Sequence, residues 1–404
     1  MTRPATADQG LVRKLNTTIV LDALRRFAPL SRAELSVRTG LNRSTVSSIV
    51  NSLIDQGFVQ ETELQNSKVG RPGMLLILNP QGGFAVGVEI GVDFISAIVT
   101  DFVARVLWKQ RLESDPEMEQ LDIIERAEGL TQAALNTGLA SGLRPLGIGL
   151  GAPGLVDIRQ GRLVFAPNLH WSNVPLRLMW TQRFNLPIFV ENEANAAALG
   201  EYYFGSAHGV DNFIYLSAGV GLGGGIMIDG RLFRGSSGYA GEVGHMTIDR
   251  QGEICGCGKR GCWETQVGPR AVIRRVQNTL RSGVPSLMSN LAGGDLHKIT
   301  FEVVVEAAQA CDSAALAALE EVGRSLGAGV ANLVNIFNPE LIVLGGALNL
   351  ASSFLLPVIQ QTLCDNALKP SCENIRLAAS AHGTDACMMG AVALVVDDIF
   401  REPY

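Results

Sequence analysis

Apolar positions in the first eighty residues recur at helical spacing. Leu15, Ile19, Ala23 and Phe27 form one stripe over residues 14–27, the mark of an amphipathic helix. Ser31-Arg32-Ala33-Glu34 reads as a capping box that opens a second, short helix ending at Thr39-Gly40. A third helix opens at Leu41-Asn42, turns Val46, Ile49, Val50 and Leu53 inward, and closes at Gly57. Residues 58–62 and Met74–Leu78 are apolar enough for two short strands, and the loop between them ends Lys68-Val69-Gly70-Arg71-Pro72-Gly73. This order is a helix-turn-helix followed by a wing.

The pattern changes after Asn79-Pro80-Gln81-Gly82-Gly83, which divides a head (1–80) from a body (81–404). Strands are expected at Phe84–Ile90, 95–101 and 105–112, an amphipathic helix at 118–141, and a buried strand at 145–151. A short strand at 187–190 runs into Glu191-Asn192-Glu193-Ala194-Asn195, the start of an alanine-rich helix. The second half repeats the scheme with strands at 213–217, 226–228 and 341–344, and a glycine-rich turn at 219–225. Two strand-rich α/β halves flanking a cleft fit this order better than one continuous parallel sheet does.

Charge adds to the picture of the head. Residues 1–80 carry ten Lys/Arg against six Asp/Glu, and residues 81–404 carry 23 against 33. A basic head on an acidic body points to nucleic acid as the partner of the head. The outward face of the third helix carries Arg43, Ser44, Thr45, Ser47, Ser48 and Asn51, side chains that can meet base edges and phosphates in a major groove. Arg71, between Gly and Pro, has the low-bulk setting of a residue that enters a minor groove. A three-helix packing module with a polar face, and a solvated loop arginine, are the competing readings. The N-terminus lacks the features of a signal peptide, and no apolar run was expected to span a membrane, so the expectation is a cytoplasmic protein with no membrane partner.

The densest chemistry lies at 241–264, GEVGHMTIDRQGEICGCGKRGCWE. His245, Cys255, Cys257 and Cys262 offer one imidazole and three thiolates, the donor set of a closed, structural tetrahedral Zn²⁺ site. Three clustered thiols leave one unpaired in any disulfide scheme, which favours metal. The remaining cysteines, Cys311, Cys364, Cys372 and Cys387, are scattered and are expected to be buried thiols.

The winged head, the glycine turn, the Glu242-x-Gly244-His245 pair, the C-x-C-G-x-x-G-C loop and the Gly345-Gly346 and 383–390 segments together resemble the ROK family (repressors, open reading frames and sugar kinases). The resemblance covers essentially the whole chain, and the zinc loop at 245–262 with its upstream E-x-G-H is its most specific part. It implies an α/β protein with an N-terminal winged helix-turn-helix and a two-lobed actin/hexokinase/Hsp70-like (ribonuclease H-like) sugar-binding body. Sugar contacts implied by matching motif positions are Asn168, Asn192, Glu193, Glu242, His245 and Glu264. Carboxylates and amides that accept and donate in pairs suit vicinal hydroxyls, which agrees with that set. Surface carboxylates and turn-forming asparagines are the alternatives.

Two departures from the family's kinases bear on activity. Glu89-Ile90-Gly91-Val92-Asp93 stands where the kinases carry an Asp and a Gly-Gly-Thr-like turn, and Glu193 stands where they place an Asp as general base. A negative charge, a β-branched side chain and a carboxylate shifted by about an ångström all oppose phosphoryl transfer. The expected function is a transcriptional repressor, a homodimer or homotetramer on double-stranded operator DNA. A monosaccharide, xylose-like or glucose-like, controls it. An ATP-dependent sugar kinase with an added head, and a sugar-binding scaffold for another protein, are the alternatives.

Overall fold

The computed structural model describes residues 9–64 and 74–401. The head consists of α1 (Gln9–Phe27), β1 (Leu30–Ser31), α2 (Arg32–Thr39), α3 (Arg43–Asp55), β2 (Val59–Leu64) and β3 (Met74–Leu78), with the strands in the order β1-β3-β2. Local chemistry sets the turn between its helices. The Ser31 hydroxyl accepts the Glu34 N–H while Glu34 takes the Ser31 N–H in return, and Gly40 ends α2 at φ 71°. Asn42 Oδ1 then accepts the Thr45 N–H to open α3, whose Val46, Ile49, Val50 and Leu53 are buried. Arg71 lies outside the described residues.

The body contains two copies of one sheet topology. In the first lobe, β4 (Phe84–Ile90), β5 (Phe94–Asp101) and β6 (Val106–Glu113) form an antiparallel meander. After α4 (Gln120–Ala140), β7 (Pro145–Ala152) adds parallel to β4. A small antiparallel sheet of β8 (Leu155–Asp157), β9 (Arg162–Ala166) and β10 (Trp171–Val174) and the helix α5 (Leu176–Phe184) precede β11 (Ile188–Asn192), which pairs parallel to β7. The order is β11-β7-β4-β5-β6, and α6 (Glu193–Phe204) follows.

The second lobe repeats this with β12 (Phe213–Ala218), β13 (Leu222–Ile228), β14 (Arg231–Leu232), β15 (Leu341–Gly346) and β16 (Arg376–Ala379), ordered β14-β13-β12-β15-β16. Its helices are α7 (Glu264–Val267), α8 (Pro269–Arg281), α9 (Leu287–Leu291), α10 (Phe301–Gln309), α11 (Ser313–Phe337), α12 (Ser352–Asn366) and α13 (Lys369–Asn374). The final helix, α14 (Ala386–Arg401), returns to the first lobe and packs on β4, β7 and α6. There the backbones touch: a Cβ on Gly149 would meet the Ala391 carbonyl oxygen at 1.9 Å, and one on Gly390 would meet that of Ala196 at 1.7 Å.

Several expectations need correction. Of the stripe Leu15, Ile19, Ala23 and Phe27, Ala23 is buried and the other three are exposed; α1 otherwise buries Thr17, Val20, Leu21 and Leu24, a well-spaced set one step around the helix. Gly223, Gly224 and Gly225 belong to β13, not to a turn, because Ala194, Ala198 and Val243 pack where side chains would stand. Cys364 and Cys372 form a disulfide, brought to a Cα separation of 5.2 Å where α12 ends and α13 begins, and Cys311 is exposed; Cys387 alone of the four is a buried thiol. The run Ala347–Asn366 is long and apolar enough to cross a membrane by composition, contrary to expectation. Here it is α12 with its leading turn, and Leu355, Ile359 and Leu363 seat one face of it on the second-lobe core.

Head and body share one hydrophobic core. Leu24, Leu53 and Phe58 of the head are continuous with Phe102, Tyr203, Val396 and Phe400 of the body. The Phe58 and Phe102 rings lie 4.9 Å apart.

Candidate functional site

The cleft between the lobes holds a cavity of about 310 Å³ lined by Asn168, Asn192, Glu193, Glu242, His245 and Glu264 together. Asn192 ends β11 and caps α6, its Oδ1 accepting the N–H groups of Ala194 (2.9 Å) and Asn195 (3.1 Å), while its Nδ2 donates to the Gly154 carbonyl (2.9 Å). These bonds fix the amide and leave one N–H for a ligand. Glu193, the next residue, begins the helix. Burial, and then the charge of Glu242, push its carboxyl up to about 7.

Glu242 precedes and His245 ends a short 3-10 turn, with His245 Nε2 3.8 Å from Glu242 Oε2. Glu264 sits between the cysteine loop and β13: its Oε1 is 2.7 Å from Cys255 Sγ and 3.5 Å from His245 Nδ1, and its Oε2 accepts the Leu222 N–H. Three carboxylates therefore face one cavity, and among the described residues no Lys or Arg lines it.

His245, Cys255, Cys257 and Cys262 present their donor atoms within 4.8 Å of one another. His245 Nδ1 is 3.6 Å from Cys255 Sγ, and Cys257 Sγ is 3.7 Å from Cys262 Sγ. Ligands about 2.3 Å from a tetrahedral ion stand about 3.8 Å apart, so the cluster has the dimensions of a four-ligand metal site. Its loop needs Gly261, at φ 76°, where a Cβ would meet the Asp249 carbonyl oxygen at 1.6 Å. Trp263 rivets the loop to α11: it is fully buried over Gly329 and its indole N–H donates to the Ser325 carbonyl (3.0 Å).

Sequence reasoning did not name the residues of the apolar wall, chiefly Phe94, Leu155 and Phe165. Phe94 packs on Gly91, and the Arg111 guanidinium lies 3.4 Å from the centre of its ring. Val92 lines the cavity, whereas Asp93 is exposed outside it. Behind the site, Glu89 is buried with Oε2 unpartnered, and burial followed by the charge of Glu193 pushes its carboxyl up to about 8. Glu191, also buried, receives Arg234 from beyond β14 at 2.7 Å and 3.0 Å, an ion pair that joins the lobes beside Asn192.

On the head, Arg43, Ser44, Ser48 and Asn51 are exposed along α3, and Thr45 and Ser47 are half-buried. Arg13 and Asn16 of α1 border a groove with Ser44, Thr45 and Ser48, and Arg32 donates to Asn51 Oδ1 (3.1 Å) while pairing with Glu61. Periodicity had assigned Arg13, Asn16 and Arg32 no part in this face.

A helix-turn-helix head built into a twice-repeated α/β body with a polar cleft defines the class. Residues 85–398 match the ROK family and residues 9–68 the MarR family. The chain belongs to the ROK family. It is 35% identical to the xylose repressor of Caldicellulosiruptor bescii, over 97% of this chain and 98% of that protein. Among solved structures it is similar to a ROK family transcriptional regulator described as a homologue of the E. coli MLC protein, with 31% identity and a TM-score of 0.82 over 96% of this chain and 97% of that one. It is also similar to a ROK family glucokinase from Streptomyces griseus in complex with glucose and AMPPNP, with 33% identity and a TM-score of 0.69; the match covers 77% of this chain and 99% of the glucokinase.

Proposed function

We propose that this chain is a transcriptional repressor in the cytoplasm. Its head (1–80) binds double-stranded operator DNA through Arg43, Ser44, Thr45, Ser47, Ser48 and Asn51, as a homodimer or homotetramer, and a monosaccharide in the cleft of the body (81–404) controls the affinity. The observation that carries this reading is one chain holding both a helix-turn-helix with an exposed polar recognition face and a cavity ringed by six hydrogen-bonding side chains. Asn168, Asn192, Glu193, Glu242, His245 and Glu264 are the sugar contacts. Three carboxylates with no lining cation favour a neutral, unphosphorylated sugar, because a phosphate would be repelled and left without a counter-charge. The xylose repressors among its relatives make xylose the first candidate.

The His245–Cys255–Cys257–Cys262 site fits Zn²⁺, which would be structural since four protein ligands leave no open position. With Nδ1 on the metal, His245 Nε2 is left facing Glu242 and the cavity, so the metal would fix the tautomer and aim of a sugar-contacting ring.

The test is fluorescence anisotropy on an operator enriched from random DNA, titrated with xylose, glucose, N-acetylglucosamine and their phosphates. A neutral sugar should shift operator affinity by about 5- to 150-fold, the ordinary range of allosteric coupling, and the phosphates should not. Equal affinity across these and a broad panel of other saturating monosaccharides would rule out control by sugar. The glucokinase-like body supports a second reading, an ATP-dependent sugar kinase. ADP release above background with any of these sugars would establish it over the repressor reading, in which Glu89, Val92, Asp93 and Glu193 do not support phosphoryl transfer.

A further inference from the structure

The helix that begins in the sugar cavity ends against the DNA-binding head. The first residue of α6 is Glu193, and the last turn carries Tyr202 and Tyr203, so about 18 Å of helix separates the two ends. Arg25 of α1 reaches that last turn, donating from Nη1 to the carbonyls of both Tyr202 and Tyr203 at 3.3 Å, with its guanidinium 4.4 Å from the centre of the Tyr203 ring. Arg26 bonds the Tyr202 hydroxyl and pairs with Asp211 at 3.0 Å. Helix C-termini present unpaired carbonyls and a partial negative charge; Arg25 meets the carbonyls, and Arg26 adds a second positive charge at the same end while holding the Tyr202 side chain.

The near end of α6 is held as firmly by the opposite lobe. A Cβ on Gly225 of β13 would meet the Ala194 carbonyl oxygen at 2.5 Å, and one on Gly223 would meet the Ala194 Cβ at 2.9 Å. Second-lobe movement therefore presses on the first turn of α6 through backbone contact, with no compliant side chain between. Along its length α6 is locked to α14 by the Gly390–Ala196 contact, and α14 is itself bonded to α1, where the Thr18 hydroxyl donates to the Phe400 carbonyl at 2.7 Å.

We infer that Arg25 and Arg26 are the positioning residues that couple the cleft to the head, with the α6–α14 pair as the rigid element between them. This rests on the sugar-responsive reading above. A ligand that draws the lobes together displaces α6, and the two arginines carry that displacement into α1 and so into the setting of α3. Coupling of this kind needs a ligand that prefers one arrangement, since equal affinity for both would move nothing.

The test uses the full chain and two variants. Arg25→Met/Arg26→Met keeps an unbranched apolar stem on α1 and removes both guanidinium groups with their bonds; Tyr202→Phe keeps the ring and removes one hydroxyl. Amide hydrogen exchange of α1 is measured with and without saturating xylose, glucose and N-acetylglucosamine, beside calorimetric sugar affinity. In the wild type the sugar that binds should change exchange in α1. In the double variant sugar should bind within about threefold of wild type while α1 no longer responds, and the operator shift should collapse from about 5- to 150-fold to about twofold or less. Tyr202→Phe should retain part of the response, showing that the loss is not one of folding. An α1 that ignores bound sugar in the wild type, or responds equally in both variants, overturns the relay. An α1 that responds while operator affinity does not change leaves the relay standing and removes the repressor reading.

Discussion

At the scale of single residues, the acids around the cleft differ in a way their letters do not show. Glu89 and Glu193 are both held up in pKa, to about 8 and about 7, because burial withdraws water and each sees other carboxylates. Glu89 in the unfolded chain ionises near 4.5. Between that value and about 8 the folded protein keeps a proton that the unfolded chain has released, so stability falls as pH rises through this window. Glu89→Gln should flatten the curve of melting temperature against pH: near-equal to wild type at pH 5 and higher at pH 8.5. Parallel curves for the two proteins would show that Glu89 is ionised in the fold. Residue identity made the acids of the E-x-G-H motif and the cysteine loop readable as a set. It could not show that Asn192 spends its Oδ1 on capping α6, or that Glu191, next in sequence, turns away to meet Arg234.

At the scale of elements, the cysteine loop at 245–262 shows how local sequence and long-range packing combine. Its thiol spacing was legible because all four donor residues lie within eighteen residues, and its glycines sit where the backbone turns. The rivet was not legible: Trp263 could be read as apolar, but its place over Gly329 depends on α11, more than sixty residues later. The loop carries both His245 and, one residue beyond Trp263, Glu264. Cys257→Ser should therefore lower bound zinc and sugar affinity together, as read by metal analysis and calorimetry. A protein that loses zinc and still binds sugar normally would reduce the loop to a staple. The α1 stripe failed for a related reason. Two sets of apolar residues on one helix satisfy helical spacing, and only the partners that α1 meets, Phe400 among them, decide which set is buried.

At the scale of the whole molecule, the repeated strand order was readable from the recurrence of strand, glycine and strand. The integration of the head was not. Residues 79–83 look like a linker, yet Gly82 is buried and Arg144 of the body donates to its carbonyl at 3.0 Å and to that of Gln56 at 2.9 Å. The glucokinase relative is matched over 99% of its length by 77% of this chain, so it has no counterpart for a module of this size. Phe102, Tyr203, Val396 and Phe400 form, with the head, a single apolar interior. Residues 81–404 prepared alone should thus bind 8-anilinonaphthalene-1-sulfonate and self-associate on gel filtration, where the full chain does neither through this face. A well-behaved, dye-silent body would mean that the seam closes over by itself. The head therefore cannot be transplanted as a cassette: grafting it onto a kinase-sized body requires remaking the acceptor surface in aromatic residues, so DNA binding and body must have been tailored to each other residue by residue.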